Sequence, residues 1–247
     1  MTVTARDATR HAWLDYAWRI ASAPMAGDSH IPACEASGGA PPIPGLTAAD
    51  CATRLPGFIG ERYEAGKGVL LVGVVFKTAE TADPAFLPAV SAGATWARAG
   101  RSAASDAKFF AETRDAYTNA MPGWPVWKRF GAVLHALGLD LGDVAYTNAA
   151  KCWHTWRGYD DRNLAKNLAS KCSSKFSRIS SLVECIEPRQ VYLAGASAAA
   201  SVRRSAKRDM FVVNVVNGAV DGMEPWPNWL TEARGRYLGL TREEPAG

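Results

Sequence analysis

The stretch Val69 to Val75, Val-Leu-Leu-Val-Gly-Val-Val, constrains the fold of this chain more than any other. It is a short, unbroken apolar run lying between Gly68 and Lys77. A strand with one wet face alternates polar and apolar residues, whereas a strand covered on both faces has no need to, and that is the habit of parallel sheets buried between helices. Val144 to Asn148, Val191 to Ala194 and Phe211 to Val216 read as three further strands, and helical periodicity fills the intervals. Ala12, Trp13, Tyr16, Ala17 and Ile20 share one face of a helix over residues 8–22, and a second helix is placed around Ser105 to Ala116. Val126 to Leu137 forms another, ending at Gly138, a residue suited to a left-handed helix terminus. Leu164, Leu168, Cys172, Phe176, Ile179, Val183 and Ile186 recur every three or four positions, which predicts one long amphipathic helix from Asn163 to Ile186. Ala196 to Arg204 reads as a short helix opened by Gly195. Ala23 to Gly45 reads as a loop and Thr78 to Met121 as largely irregular. Strands alternating with helices predict an α/β three-layer sandwich with a central, mostly parallel four-stranded sheet. The whole chain, 1–247, reads as a single domain with an N-terminal helix and loop extension over 1–67.

Composition narrows the class. At 48% hydrophobic and 21% charged residues the chain is an ordinary globular one. No run reaches the roughly 18 apolar residues of a membrane span, and Asp7 and Asp15 near the start break any export-signal pattern, so a cytoplasmic, monomeric protein with no membrane partner is expected. Five cysteines, an odd and sparse set in a chain large enough to bury a core, fit reduced thiols or a metal site better than disulfides. The net charge is only +4, but twelve basic residues against four acidic ones fall between Lys151 and Arg208. Such a run suits a polyanion, since neutralising phosphates releases counterions; a solvated helix face is the alternative.

An ordered series of short motifs adds to this. Tyr146, Thr147, Asn148, Ala149, Ala150, Lys151 and Cys152 follow a helix and Gly138; Cys172 lies on the next helix; Ile186, Pro188 and Val191 lead into Leu193, Ala194, Gly195, Ala196, Ser197 and Ala198. With Cys51 ahead of the first strand, residues 51–220 resemble the iron-sulfur branch of the uracil-DNA glycosylase superfamily. The resemblance implies a uracil-DNA glycosylase-like sheet, a DNA partner and a 4Fe-4S cluster. Cys34, Cys51, Cys152 and Cys172 would be the cluster's ligands, the first two 17 residues apart where the family has a Cys-x-x-Cys. The chain departs from the family elsewhere too. Its first-strand loop is Gly73, Val74, Val75, Phe76, Lys77, with no acid or amide, and its last strand leads into Asn217 and Gly218 rather than a histidine motif.

A glycosylase flips a nucleotide out of the stack, reads its exposed edge and stabilises an oxocarbenium-like sugar while water attacks. The carboxamide of Asn148 suits the reading, because one group offers both donor and acceptor at a strand's carboxyl end, where open α/β sheets bind ligands; satisfying loop backbone is the alternative. Gly73, Val74 and Val75 would leave room for a bulky base, Phe76, Tyr117 or Trp124 would stack on it, and Lys151 would contact the substrate. Glu80, Asp83 and Asp115 are the carboxylates that could orient water. His154 could act as a base or a phosphate contact. Arg203 and Arg204 would meet phosphates. Asn217 and Gly218 open the loop that, by the resemblance, enters the duplex, with Met223, Trp226 and Trp229 as apolar wedges.

These readings lead to a DNA glycosylase hydrolysing the N-glycosidic bond of a modified pyrimidine. Because some relatives act on phage DNA with modified cytosine, an antiviral role belongs to what the resemblance implies. Uracil repair and a catalytically silent DNA-binding protein of the same fold are the alternatives. A small-molecule Rossmann-like enzyme is disfavoured, because no glycine-rich phosphate loop follows the first strand.

Overall fold

A computed structural model describes residues 4–22, 54–74, 76–77, 84–149, 151, 153–154, 179–195, 198–199, 209–213 and 228–239. Their strands and the α-helices with defined bounds are the following. In chain order they are α1 (Ala5–Ala21), β1 (Phe58–Ile59), β2 (Val69–Gly73), β3 (Phe76–Lys77), α2 (Leu87–Ala99), α3 (Ala103–Ala120), α4 (Trp127–Leu137), β4 (Val144–Asn148), β5 (Trp153–His154), α5 (Ile179–Ile186), β6 (Gln190–Ala194), β7 (Asp209–Val213) and α6 (Asn228–Leu238). None of these helices is long and apolar enough to cross a membrane.

The main sheet has the order β1-β4-β2-β6-β7. Its β2–β4, β2–β6 and β6–β7 pairs are parallel, with Gly73 opposite Asn148 and Ala194 opposite Val213. Every residue of β2, β4 and β6 is buried, as unbroken apolar strands require. The expected four strands are therefore present, but the sheet is five-stranded and mixed: β1 adds to the free edge of β4 antiparallel, pairing Phe58 with Tyr146 and Ile59 with Ala145. Two residues carry no periodicity, which is why β1 leaves no trace in the sequence. Its approach is set by Gly57 at φ 101, where a Cβ would overlap the carbonyl oxygen of Tyr146.

The two faces of the sheet carry separate cores. Val69, Leu71, Val144, Tyr146, Tyr192 and Ala194 pack against α4 and α6 through Phe130, Val133, Leu134, Leu230 and Ala233. Leu70, Val72, Ala145, Val191 and Leu193 pack against α1 and α5 through Trp13, Tyr16, Ile20, Leu182 and Val183. The N-terminal helix is thus part of the core rather than an appendage. Thr4 and Asp7 cap it reciprocally, and Arg101 ties it to α3 by pairing with Asp15 and Asp106.

Two helices fall in or beyond stretches read as irregular. Helix α2 buries Ala89, Ala92, Gly93 and Ala94, so it packs closely on α3 through small side chains that give little amphipathic signal. Trp96 adds to that contact, its ring stacked 4.0 Å from Phe109. Helix α3 runs six residues beyond the expected range in total, two at its start and four at its end. Helix α6 places Trp229 in its first turn, partly buried against the core, so this residue belongs to a helix and not to a wedge loop. Helix α4 ends as expected, Gly138 taking φ 68.

Candidate functional site

In a parallel α/β sheet, ligands bind outside the carboxyl ends of the strands, where the connections diverge to either side. Here β2 has β4 on one side and β6 on the other. Its last residue, Gly73, faces Asn148, and Ala149 N–H donates to the Gly73 carbonyl at 2.9 Å. A Cβ at Gly73 would overlap Asn148 Oδ1 and stand 2.6 Å from Tyr146 Oη. Glycine is required there to let the carboxamide lie down against the neighbouring strand.

Asn148 is 1% exposed. The pleat puts Tyr146 and Asn148 on one face of β4, and the Tyr146 hydroxyl donates to Asn148 Oδ1 at 2.9 Å. Asn148 Nδ2 has no hydrogen-bond partner among the described residues. Buried donors are nearly always paired, so an unpaired one calls for an explanation, a water or a ligand at that point being one. Among the described residues no hydrogen bond joins the Asn148 side chain to loop backbone.

Beneath the carboxamide lies a cluster of rings. Phe58, Tyr117, Trp124 and Phe130 surround Tyr146 at centroid distances of 6.5, 5.8, 6.4 and 6.3 Å. Tyr117 is stacked on Phe58 at 4.9 Å and Phe86 meets Trp124 edge-on. Tyr117 and Trp124, expected to stack on a base, instead occupy this core and hold Tyr146 in place; neither offers an open face.

Lys151 is placed differently from the expected substrate contact. It is fully buried, its ammonium donates to Thr147 Oγ1, and it lies 5.7 Å from the Tyr16 ring. Thr147 follows the pleat to the face opposite Asn148, toward α1. Thr147 in turn donates to the Pro56 carbonyl at 2.8 Å, and Leu55 N–H donates to the Lys151 carbonyl at 3.0 Å. Lys151 therefore pins the end of β4 to α1 and to the segment entering β1. Val74 likewise packs toward the α1 side, away from the carboxamide.

No protein-family model matches the chain, and a search of curated proteins finds no match.

Asp115 is separated from the site. Its side chain is 60% exposed and paired with Arg114, which also bonds Glu61. Glu61 and Arg62 run beside Gly142 at the amino end of β4, Arg62 N–H donating to the Gly142 carbonyl at 2.8 Å. Four residue steps of strand, about 13 Å, lie between that end and Asn148. Asp115 cannot orient water at a group held by Asn148.

The chain pairs again shortly after the two strand ends. Phe76 aligns with Trp153 and Lys77 with His154 in the two-stranded parallel sheet of β3 and β5. This pairing, with no signal in the sequence, ties the segments leaving Gly73 and Asn148 together and brings the backbone of His154 alongside the one preceding Glu80 and Asp83. Val75, Glu80, Asp83, Cys34, Cys51, Cys152, Cys172, Arg203, Arg204, Asn217, Gly218, Met223 and Trp226 lie outside the described residues. Cys185 lies within them: it sits half-buried on α5, and burial pushes its thiol pKa up, away from the thiolate a metal ligand needs.

Proposed function

We propose that this protein is a DNA glycosylase that hydrolyses the N-glycosidic bond of a flipped-out modified pyrimidine. The observation that carries the reading is Asn148: a buried carboxamide at the carboxyl end of a parallel strand, hydrogen-bonded to Tyr146, laid against a bare glycine and with a donor that has no partner among the described residues. The twelve basic residues between Lys151 and Arg208 support a DNA partner, with Arg203 and Arg204 at phosphates and Asn217, Gly218 and Met223 in the loop entering the duplex. In the reaction, water attacks C1′ of the sugar and the base departs with the bonding electron pair. A carboxylate takes up the water's proton and offsets the cationic sugar. With Asp115 at the other end of β4, Glu80 and Asp83, which follow β3, are the residues assigned this role.

The resemblance also assigns a 4Fe-4S cluster to Cys34, Cys51, Cys152 and Cys172, four soft thiolates of the kind iron-sulfur clusters take. When bound, the cluster would tie the N-terminal segment to the segment after β4. Protein purified without oxygen is expected to be brown and to carry iron, and Cys152→Ala to lose both colour and iron. Colourless wild-type protein without bound iron would remove the cluster from the account.

The activity is tested by incubating the protein with duplexes containing uracil or modified pyrimidines and treating the products with alkali. Strand scission at the probe base supports a glycosylase. Salt-sensitive binding without scission would favour a silent DNA-binding protein of the same fold.

A further inference from the structure

We propose a second binding site, for the phosphate group of a small molecule, in a recess between the start of α1, the end of β1 and α3. The recess is half-open, has a volume of about 620 Å³, and takes its walls from Arg6 and Arg10 of α1, Ile59 and Tyr63 in and after β1, and Phe110 of α3. That volume falls within the range of small-molecule sites. Ile59, Tyr63 and Phe110 belong to the core between the sheet and α1, whereas Tyr146 belongs to the core on the other face. Ile59 pairs with Ala145, three residue steps and roughly 10 Å of strand before Asn148. The recess is therefore separate from the Asn148 site, and the inference stands whether or not the chain cuts DNA.

Pairing decides the class of ligand. Three acids, Asp7, Glu61 and Glu64, and three arginines, Arg6, Arg10 and Arg114, line the recess, so net charge alone selects nothing. Each acid is engaged. Glu61 accepts from Arg114 at 3.1 Å, Glu64 from Lys67 at 2.8 Å, and Asp7 from the Thr4 hydroxyl at 2.6 Å. Neither Arg6 nor Arg10 has an ion-pair partner among the described residues, and Arg6 acts on Glu64 and Asp143 only through space. The hydrogen-bonding capacity left in the recess is thus that of two guanidiniums.

These two are neighbours, standing one turn apart on α1. Phe110 holds one of them, with Arg10 Cζ 3.9 Å from its ring centroid, so less freedom is lost when the head meets a ligand. A pair of guanidinium forks offers more donors than the two oxygens of a carboxylate accept, whereas a terminal phosphate brings three oxygens and up to two charges. The attraction comes from the side chains and not from the helix terminus, which Thr4 and Asp7 cap.

The full-length protein is titrated with inorganic phosphate and with adenosine 5′-monophosphate at constant ionic strength, adenosine serving as the probe without a phosphate. Binding is read from the thermal midpoint, which a ligand of the folded state raises. The phosphate probes are expected to raise it and adenosine to leave it unchanged. Arg6→Gln and Arg10→Gln are each expected to weaken that binding by about tenfold, the effect of losing a hydrogen bond to a charged group. Lys108→Gln removes the same charge from an exposed position of α3 outside the recess and is expected to stay within about twofold.

No response to either phosphate probe, or an equal loss in Lys108→Gln, overturns the inference. Arg6 is exposed, so its variant decides the matter if Arg10→Gln fails to fold. The last arm is a labelled DNA duplex, which both arginine variants are expected to bind as wild-type protein does. Weaker duplex binding in both, without a response to the phosphate probes, would assign these arginines to a DNA backbone and overturn the small-molecule site.

Discussion

Alanine at Gly57 is expected to destabilise the protein by about 2–4 kcal/mol, combining the strain of a side chain at positive φ with overpacking. Gly57 has φ 101, and its added Cβ would overlap the Tyr146 carbonyl oxygen and stand 2.9 Å from the Thr147 Cα. Both atoms are backbone of a central strand, so no rotamer relieves the contact. The chain must instead lift β1 from β4, which withdraws Leu55 and Phe58 from the ring cluster and stretches the Thr147–Pro56 hydrogen bond. Urea denaturation checks this: the midpoint should fall while the slope stays the same, as for a change in stability without a change in the surface exposed on unfolding. A shift of less than about 0.5 kcal/mol, the range of ordinary surface substitutions, would mean that β1 does not approach β4 as closely as described.

The second large effect is functional. If the proposed function holds, Asn148→Ala removes the carboxamide that reads the flipped base and leaves the base's polar edge unpaired, at a cost of about 1–3 kcal/mol in the transition state. Excision is therefore expected to fall by at least about tenfold. Binding to undamaged duplex should hardly change, because phosphate contacts position the protein and supply most of that affinity. The Tyr146 hydroxyl also loses its acceptor in this variant. A loss of about 1 kcal/mol of stability is expected from this and is to be measured alongside. Normal excision would show that another residue reads the base. A variant that unfolds would make the amide structural.

The three central strands and the end of α4 were legible because burial on both faces and a left-handed helix terminus each leave a direct mark, an unbroken apolar run in one case and Gly138 in the other. Strand β1 was not, because two residues held by a glycine contact have no period to detect. Helix α2 was missed because it packs through alanine and glycine, whose close approach depends on the partner helix and not on a stripe of large side chains.

The site divides in the same way. The place of Asn148 at the carboxyl end of β4 could be read from the strand it ends. Tyr146 lies two residues earlier in the same motif, but its role depends on the pleat that puts both side chains on one face and on the rings that immobilise it. Lys151 is assigned by the resemblance and Asp115 by its chemistry. The fold turns the first toward α1 and leaves the second at the opposite end of β4, because side-chain direction is settled by packing.

The central claim is that this chain releases a base from DNA, and the most direct measurement is mass spectrometry of both products from duplexes carrying a panel of modified pyrimidines. A glycosylase should yield the free base and an abasic strand in equal amounts, with wild-type protein exceeding Asn148→Ala by at least about tenfold in rate. Intact strands across the whole panel, or release that does not depend on Asn148, would contradict the account.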